Sequence, residues 1–343
     1  MVATVALGLA GGCLFWWANL PLPWMLGALT ATLIAALAAV PLVPPEGIRP
    51  VVVAVIGVLL GSSFTPEVVQ QAAGWALSLA FLAVYLVIAA ALVVPFYVRV
   101  GRMDTVTAFF AAMPGGLNDM MLIGEAMGGD ARQIILAHAA RIAVTIGAVA
   151  VWFRVILGLE VSGIAGLNAT GAALGWADAA ILVLCGVCGI GLGQVLRLPA
   201  PTLIGPMILS AAVHVTGLTY SAPPALLVVA AQVVLGTIMG CRFIGCPPRM
   251  VLRALVLALA ATVMTLGVAL SFAALFHDWF GQSAAQVILA YAPGGLTEMS
   301  LVALSMGEDV AYIATHHIAR IAMLLGLAPV ILVPLARWLG GRD

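Results

Sequence analysis

The chain has no lysine. All 13 of its basic residues are arginine, and 13 acidic residues bring the formal charge to +0. Charged residues of both signs make up only 8% of the sequence, where soluble domains carry ~25%. So little charge cannot cover a soluble core in a chain that is 64% hydrophobic with a mean hydropathy of +1.22. A soluble globular protein is excluded, and the chain reads as an integral membrane protein, nearly all of it embedded. No basic block or acidic tail interrupts it, so a nucleic-acid partner is excluded as well.

Cysteine is scarce too. There are five, and they form no framework. Cys185 and Cys188 make a C-x-x-C, but it lies in the apolar helical run ILVLCGVCGIGLG, with none of the further ligands that a zinc or redox site needs. Cys241 and Cys246 flank a turn. No metal site and no cofactor is expected. The first residues, MVATVALGLAGGC, lack the positive stretch that opens a signal peptide, and LAGGC is a poor lipoprotein box. The chain is expected to begin with a membrane helix.

What is present is a duplication. Residues 114–143 read PGGLNDMMLIGEAMGGDARQIILAHAARIA, and residues 293–322 read PGGLTEMSLVALSMGEDVAYIATHHIARIA. The offset is 179, and 15 of the 30 aligned positions are identical. Leu20-Pro21-Leu22-Pro23 matches Leu198-Pro199-Ala200-Pro201, and Gly57-x-x-x-Gly61-x-x-Phe64 matches Gly236-x-x-x-Gly240-x-x-Phe243. A fixed long period of this kind marks two copies of one unit.

Each copy holds six apolar segments. In the first they are 2–19, 24–43, 50–64, 73–98, 105–128 and 131–158; in the second, 178–196, 202–217, 224–243, 251–276, 284–307 and 310–337. The smaller, more polar stretch 159–177 is the linker. The domains are therefore 1–158 and 178–343. A spanning helix needs about 20 apolar residues, so the third segment is short. The fifth is broken by Pro114-Gly115-Gly116 or Pro293-Gly294-Gly295, which inside a membrane requires surrounding protein or a watery cavity. Arginine-bearing connections fall on opposite parity in the two halves: Arg49, Arg99 and Arg102 in the first, Arg197, Arg242, Arg249 and Arg253 in the second. If arginine marks the cytoplasm in both, the repeats are inverted. Five crossings per half then follow if the Pro-Gly-Gly segment enters and leaves on one face. The alternative makes segment three re-entrant. The expected fold is an all-α polytopic membrane protein of two inverted repeats, each with a broken helix, and roughly ten crossings.

Polar groups inside such sequence usually have a function. Arg141 lies about ten residues into its segment, or roughly 15 Å at helical rise, near the middle of the bilayer. Arg320 occupies the same place in the second copy. Each can offer a bidentate fork to a carboxylate, and the half-helix ends at Gly115, Gly116, Gly294 and Gly295 add partial positive charge. These six residues are the expected substrate site, with one arginine binding the anion and the other holding an acid. A plain salt bridge to Asp119 or Glu298 is the structural alternative. Asp119 and Glu298 fall in the first turn after each break, where capping alone explains an acid and ion coupling also does. Asn118 and Thr297 add neutral oxygens, and His138 and His317 stand on the same helix face as the arginines. These six form the expected ion-coupling set; a buried neutral histidine on a backbone group is the alternative for the last two. Asp130 and Asp309 are expected to cap the sixth helices. His214, His277 and Asp278 look interfacial, and Trp16, Trp17, Trp24, Trp152 and Trp176 suit an aromatic belt.

At the PGGL-[NT]-[DE]-M and H-x-x-R-I motifs, complete in both copies, the sequence resembles the AbrB-type membrane protein family, built from an "AbrB duplication" repeat. The resemblance covers nearly the whole chain. It does not extend to the small DNA-binding regulator of the same name. The family carries two labels, ammonia monooxygenase and regulator of gene expression. The first would need copper or iron ligands and the second, if direct, a basic reading surface; neither is here. The family is similar to inverted-repeat cation/proton antiporters and anion symporters, a likeness of fold that implies transport.

The expected function is secondary transport, not enzymatic catalysis. The solute is small and anionic, coupled to H⁺ or Na⁺, and the protein sits in the bacterial inner membrane in contact with lipid. A homodimer stays open as its assembly. The alternative is a membrane sensor that affects gene expression indirectly.

Overall fold

The computed structural model describes residues 1–156, 158 and 174–340. Among them every regular element is helical. The order is α1 (Val2–Trp17), α2 (Pro23–Leu37), α3 (Arg49–Gly61), a short α4 (Pro66–Gln71), α5 (Ala76–Arg99), α6 (Thr105–Ala112), α7 (Leu117–Ala126) and α8 (Ala131–Val151). The second half gives α9 (Trp176–Val195), α10 (Pro201–Val215), α11 (Ala225–Cys241), α12 (Pro248–Phe280), α13 (Ala284–Tyr291), α14 (Leu296–Met306) and α15 (Val310–Gly340). The linker expected at 159–177 lies outside the described residues as far as 173. Four helical stretches are long and apolar enough to cross a bilayer: 66–99, 131–154, 176–195 and 248–280. Several shorter apolar helices accompany them. An all-helical chain of this composition is a membrane protein.

The duplication extends to backbone angles. Leu22 and Ala200 both adopt left-handed φ, 45° and 47°, directly before a proline that opens α2 or α10. Such an angle costs a non-glycine residue roughly 1–2 kcal/mol, so both copies keep the same strained entry. Helix starts follow capping chemistry. Thr107 donates its backbone N–H to Asp104 Oδ1 at 2.9 Å, and Ser283 with Gln286 forms a reciprocal capping box on α13. The expected caps on α8 and α15 are present: Gln133 N–H reaches Asp130 Oδ1 at 3.0 Å, and Ala311 N–H reaches Asp309 Oδ1 at 2.8 Å. The second segment stops at Leu37, short of the expected 43, because Pro41, Pro44 and Pro45 cannot extend it; the N–H of Val43 goes to Thr4 Oγ1 instead.

The chain forms two compact units, and both halves contribute to each. One comprises 1–73, 147–246 and 300–314. Within it α1 packs on α2 and α9 on α10, while α2 lies against α11 and α3 against α10. The Gly-x-x-x-Gly stripes make the second set of contacts. Gly57 and Gly61 abut the carbonyls of Leu203 and Met207, and Gly236 and Gly240 abut those of Met25 and Leu29. No side chain fits there, so the helix backbones approach closely, as is typical of membrane helix pairs. Ser210 Oγ donates to the Val58 carbonyl across one of these seams at 2.7 Å.

The other unit comprises 74–146, 247–299 and 315–343. Its equivalent long helices α5 and α12 run antiparallel: the Phe81 ring meets Phe276 at a tilt and Phe280 edge-on, Tyr85 reaches the Thr265 carbonyl, and the Gly101 carbonyl accepts from Arg253. The first broken segment is a closed hairpin. The N–H of Asp130, beyond α7, donates to Thr107 Oγ1 near the start of α6 at 2.7 Å. Gly124 of α7 lies against the Phe110 ring of α6, where a methyl group would be crowded.

Candidate functional site

The break at 114–116 frees the last carbonyls of α6, which have no partners in their own helix. Arg141, on α8, takes them. Its Nη1 donates to the carbonyls of Ala111, Ala112 and Met113, each at 3.1 Å. Its Nη2 donates to Nδ1 of His138 at 2.9 Å, and Nε2 of the same imidazole meets the Phe110 carbonyl at 2.8 Å. The His-x-x-Arg spacing puts both side chains on one helix face, so together they serve four successive carbonyls, 110–113. A guanidinium at a helix C-terminus also opposes the negative end of the dipole.

The second copy repeats the device. Arg320 Nη1 donates to Ala292 O at 2.6 Å and Nη2 to Gly294 O at 2.7 Å. Nη2 also bonds His317 Nδ1 at 2.9 Å, and His317 Nε2 meets Leu289 O at 3.0 Å. Both arginines and both histidines are buried, with Arg141 4% and Arg320 2% exposed. In each arginine the buried Nε has no hydrogen-bond partner among the described residues.

The glycines and methionines of PGGLxxM fit together. A methyl group on Gly115 would meet Met120 Cγ and Sδ at 2.9 Å, and one on Gly294 would meet Met299 Cγ at 2.7 Å. The first glycine of each pair thus seats a methionine from the following half-helix. The second glycine leaves room for the acid: a methyl on Gly116 would strike the Asp119 carboxylate, and one on Gly295 the Glu298 carboxylate. Each acid therefore curls back over the start of its own half-helix. Asp119 is half-buried and forms no ion pair among the described residues; Glu298 is buried. Thr297 is half-buried, and the side chain of Asn118 lies outside the described residues.

The two breaks come together. Arg141 and Arg320 lie within electrostatic reach of each other and of the fully buried Tyr85 phenol on α5. Tyr85 carries no sequence signal that singles it out. Met120 and Met299 do, because both copies keep them. His316, without a counterpart in the first half, pairs with Ser78 Oγ at 2.5 Å beneath Tyr291, whose hydroxyl bonds the Ser78 carbonyl. His214, expected at an interface, is buried, with Nδ1 2.7 Å from the Ser210 carbonyl and Nε2 3.0 Å from the Ser221 carbonyl. It ties the end of α10 to the loop that follows.

These features have relatives. A Bacillus subtilis (strain 168) protein named "Uncharacterized protein YhjN" is 24% identical over 248 residues, which are 67% of this chain and 64% of that protein. An Escherichia coli (strain K12) protein, provisionally named regulator AbrB, is 24% identical over 326 residues, or 91% of this chain and 90% of that one. A family model described as transition state regulatory protein AbrB matches residues 24–339, which take in both breaks and both His-x-x-Arg pairs, and the chain belongs to that family.

Proposed function

We propose that this protein is a secondary transporter of the bacterial inner membrane, moving a small anionic solute coupled to H⁺ or Na⁺ through a site built at its two helix breaks. The observation that carries this reading is the pairing of two closely similar devices. In each, a buried guanidinium neutralises the carbonyl end of one half-helix, and an acid stands at the N-terminal end of the next. Two neighbouring buried cations and two half-helix N-termini favour an anion there. An acid at each N-terminus balances that charge until it takes a proton or a sodium ion. Loading the cation site then leaves the breaks net positive and ready for the anion, which is coupling in its simplest electrostatic form.

The repeats are inverted in this reading. Antiparallel packing of the equivalent helices α5 and α12 supports it, and so does a hairpin that returns the chain to the face it left. With six segments per half and a re-entrant Pro-Gly-Gly segment, this reading gives five crossings per half, roughly ten in all. The arginines set the geometry of the breaks. The solute is expected at Gly115, Gly116, Gly294 and Gly295, within reach of the guanidinium Nε groups, and the ion at Asp119 and Glu298.

The test is uptake by proteoliposomes from a panel of organic acids and amino acids, with pH or Na⁺ gradients imposed. Gradient-driven accumulation of an acid is expected, and Asp119→Asn with Glu298→Gln should uncouple it. No uptake of any panel member by folded protein would overturn the reading. A second reading, indirect regulation of gene expression, is favoured by the name of the Escherichia coli relative. Expression changes that persist in a variant unable to transport would support it.

A further inference from the structure

The duplicated breaks do not account for the arginines at one end of the unit that holds them. There a cavity of about 430 Å³ opens between the end of α5, the start of α8 and the start of α12. Arg102, Arg132 and Arg253 line it, above a floor that includes Leu136 and Leu257. That volume is in the ~300–1,000 Å³ range of small-molecule sites. Arg253 spends one nitrogen on the Gly101 carbonyl, at 2.6 Å, which fixes its stem and leaves the rest of its fork free. Arg102 and Arg132 form no ion pair among the described residues. The one acid in the wall, Asp130, is occupied by both the backbone and the side-chain amide of Gln133, at 3.0 and 2.7 Å. Tyr97 also lines the cavity. It is 1% exposed, and its hydroxyl has no hydrogen-bond partner among the described residues.

The site belongs to one copy only. At the same offset of 179, Arg102, Arg132 and Arg253 correspond to Gly281, Ala311 and Gly74. Gly281 has φ 63°, a left-handed angle that glycine adopts freely; Arg102 holds φ 52° at the equivalent turn. The first copy thus accepts a strained backbone to keep an arginine at the cavity mouth.

We propose that this cavity binds a phosphate-bearing amphiphile. The phosphoryl oxygens are held by Arg102, Arg132 and Arg253, while the apolar part lies on Leu136 and Leu257. Arginine forks match phosphate oxygens in geometry as well as charge. Basic pockets between membrane helices hold lipid headgroups by the same chemistry, and a soluble alkyl phosphate would use the same contacts.

The full-length protein, delipidated in neutral detergent, is the material for the test. One arm follows retention of phosphatidylglycerol against phosphatidylcholine by native mass spectrometry. The other titrates hexyl phosphate and inorganic phosphate by calorimetry. Saturable binding in the first arm alone identifies a lipid, and in the second a soluble phosphate ester. The double variant Arg102→Gln/Arg132→Gln should weaken it by about tenfold or more. Arg102→Gly guards against misfolding. It should relieve the strained turn and melt no lower than the wild type, yet still lose affinity. Absence of saturable binding in both arms, or binding unchanged in the folded Arg102→Gly and double variants, would overturn the proposal.

Discussion

Arg141 donates to Nδ1 of His138 at 2.9 Å. A guanidinium has only hydrogens to offer, so Nδ1 must be the acceptor and Nε2 must carry the proton that goes to the Phe110 carbonyl. The imidazole is thereby fixed neutral, in one tautomer, and His317 is fixed in the same way by Arg320 and Leu289. A second proton on either ring would point at a cation. These histidines are positioning residues for the arginines. His138→Gln and His317→Gln should each lower the melting temperature in detergent, because glutamine cannot place a donor and an acceptor at the same two points. Neither should displace the pH dependence of uptake. A shifted pH profile with an unchanged melting temperature would restore them to a proton path.

The arginines are predicted to behave alike. Arg141 serves three carbonyls and Arg320 two, in addition to their histidines. Lysine keeps the charge but cannot span several acceptors in one plane. Each charge-assisted bond lost costs ~1.5–3 kcal/mol. Arg141→Lys and Arg320→Lys should therefore both be destabilised by several kcal/mol, with Arg141→Lys the worse. Thermal melting in detergent with lipid added back measures this. One stable, inactive variant beside one unstable variant would instead separate a substrate clamp from a structural group.

Much of this was legible in the sequence, and what escaped it did so for definite reasons. The Pro-Gly-Gly breaks, the acid after each and the His-x-x-Arg pairs are local patterns repeated at a fixed offset, and the structure assembles each set. The helix order followed from apolar runs bounded by proline and glycine. The partner of each arginine was not legible, because backbone carbonyls, here those of 111–113, 292 and 294, belong to every residue type and leave no mark in a sequence. Tyr85, one of two tyrosines in the apolar helix α5, gave no signal either: only the fold brings α5 to both breaks. The Arg102–Arg132–Arg253 cavity draws on three separate segments, and no spacing along the chain connects them.

The glycine–methionine fit gives a sharper mutational test. Gly115→Ala and Gly294→Ala should each destabilise by ~1–3 kcal/mol through overpacking against Met120 and Met299. If contact with the methionine is the cause, Gly115→Ala combined with Met120→Ala should cost less than the two single changes added together. Additive losses in the double variant would mean the glycine is needed for its backbone instead.

Asp130 offers a pH prediction outside the membrane-spanning segments. The side-chain amide of Gln133, followed by backbone amides and Arg132, holds its carboxyl below the usual range. A depressed carboxyl pKa adds stability that is present above the unfolded value of ~3.9 and is lost as pH falls through the folded one. The group is largely exposed, so the electrostatic part is small. As a cap on α8 the residue is worth ~1 kcal/mol. The melting temperature of Asp130→Ala should lie below that of the wild type at pH 6, and the gap should narrow below about pH 4. A gap that stays constant into acid would assign the whole effect to geometry.

Topology supplies the last prediction. Arg253 bonds the carbonyl of Gly101, so the end of α5 and the start of its repeat equivalent, α12, meet at one place. Equivalent helices of the two copies that pack antiparallel must come from copies of opposite orientation. If both cross the bilayer, Met103 and Met250 therefore lie on the same side. The hairpin adds a second requirement: its two ends, near Thr105 and Gly128, must also share a side, because Thr107 bonds the N–H of Asp130. Cysteines placed one at a time at 103, 250, 105 and 128, in a background lacking the five native thiols, are read by an impermeant maleimide in oriented vesicles. Positions 103 and 250 should label together and, by the arginine excess around them, from the cytoplasm. Positions 105 and 128 should match each other. Labelling of 103 and 250 from opposite sides would leave α5 and α12 parallel and remove the inverted arrangement on which the two-break site depends.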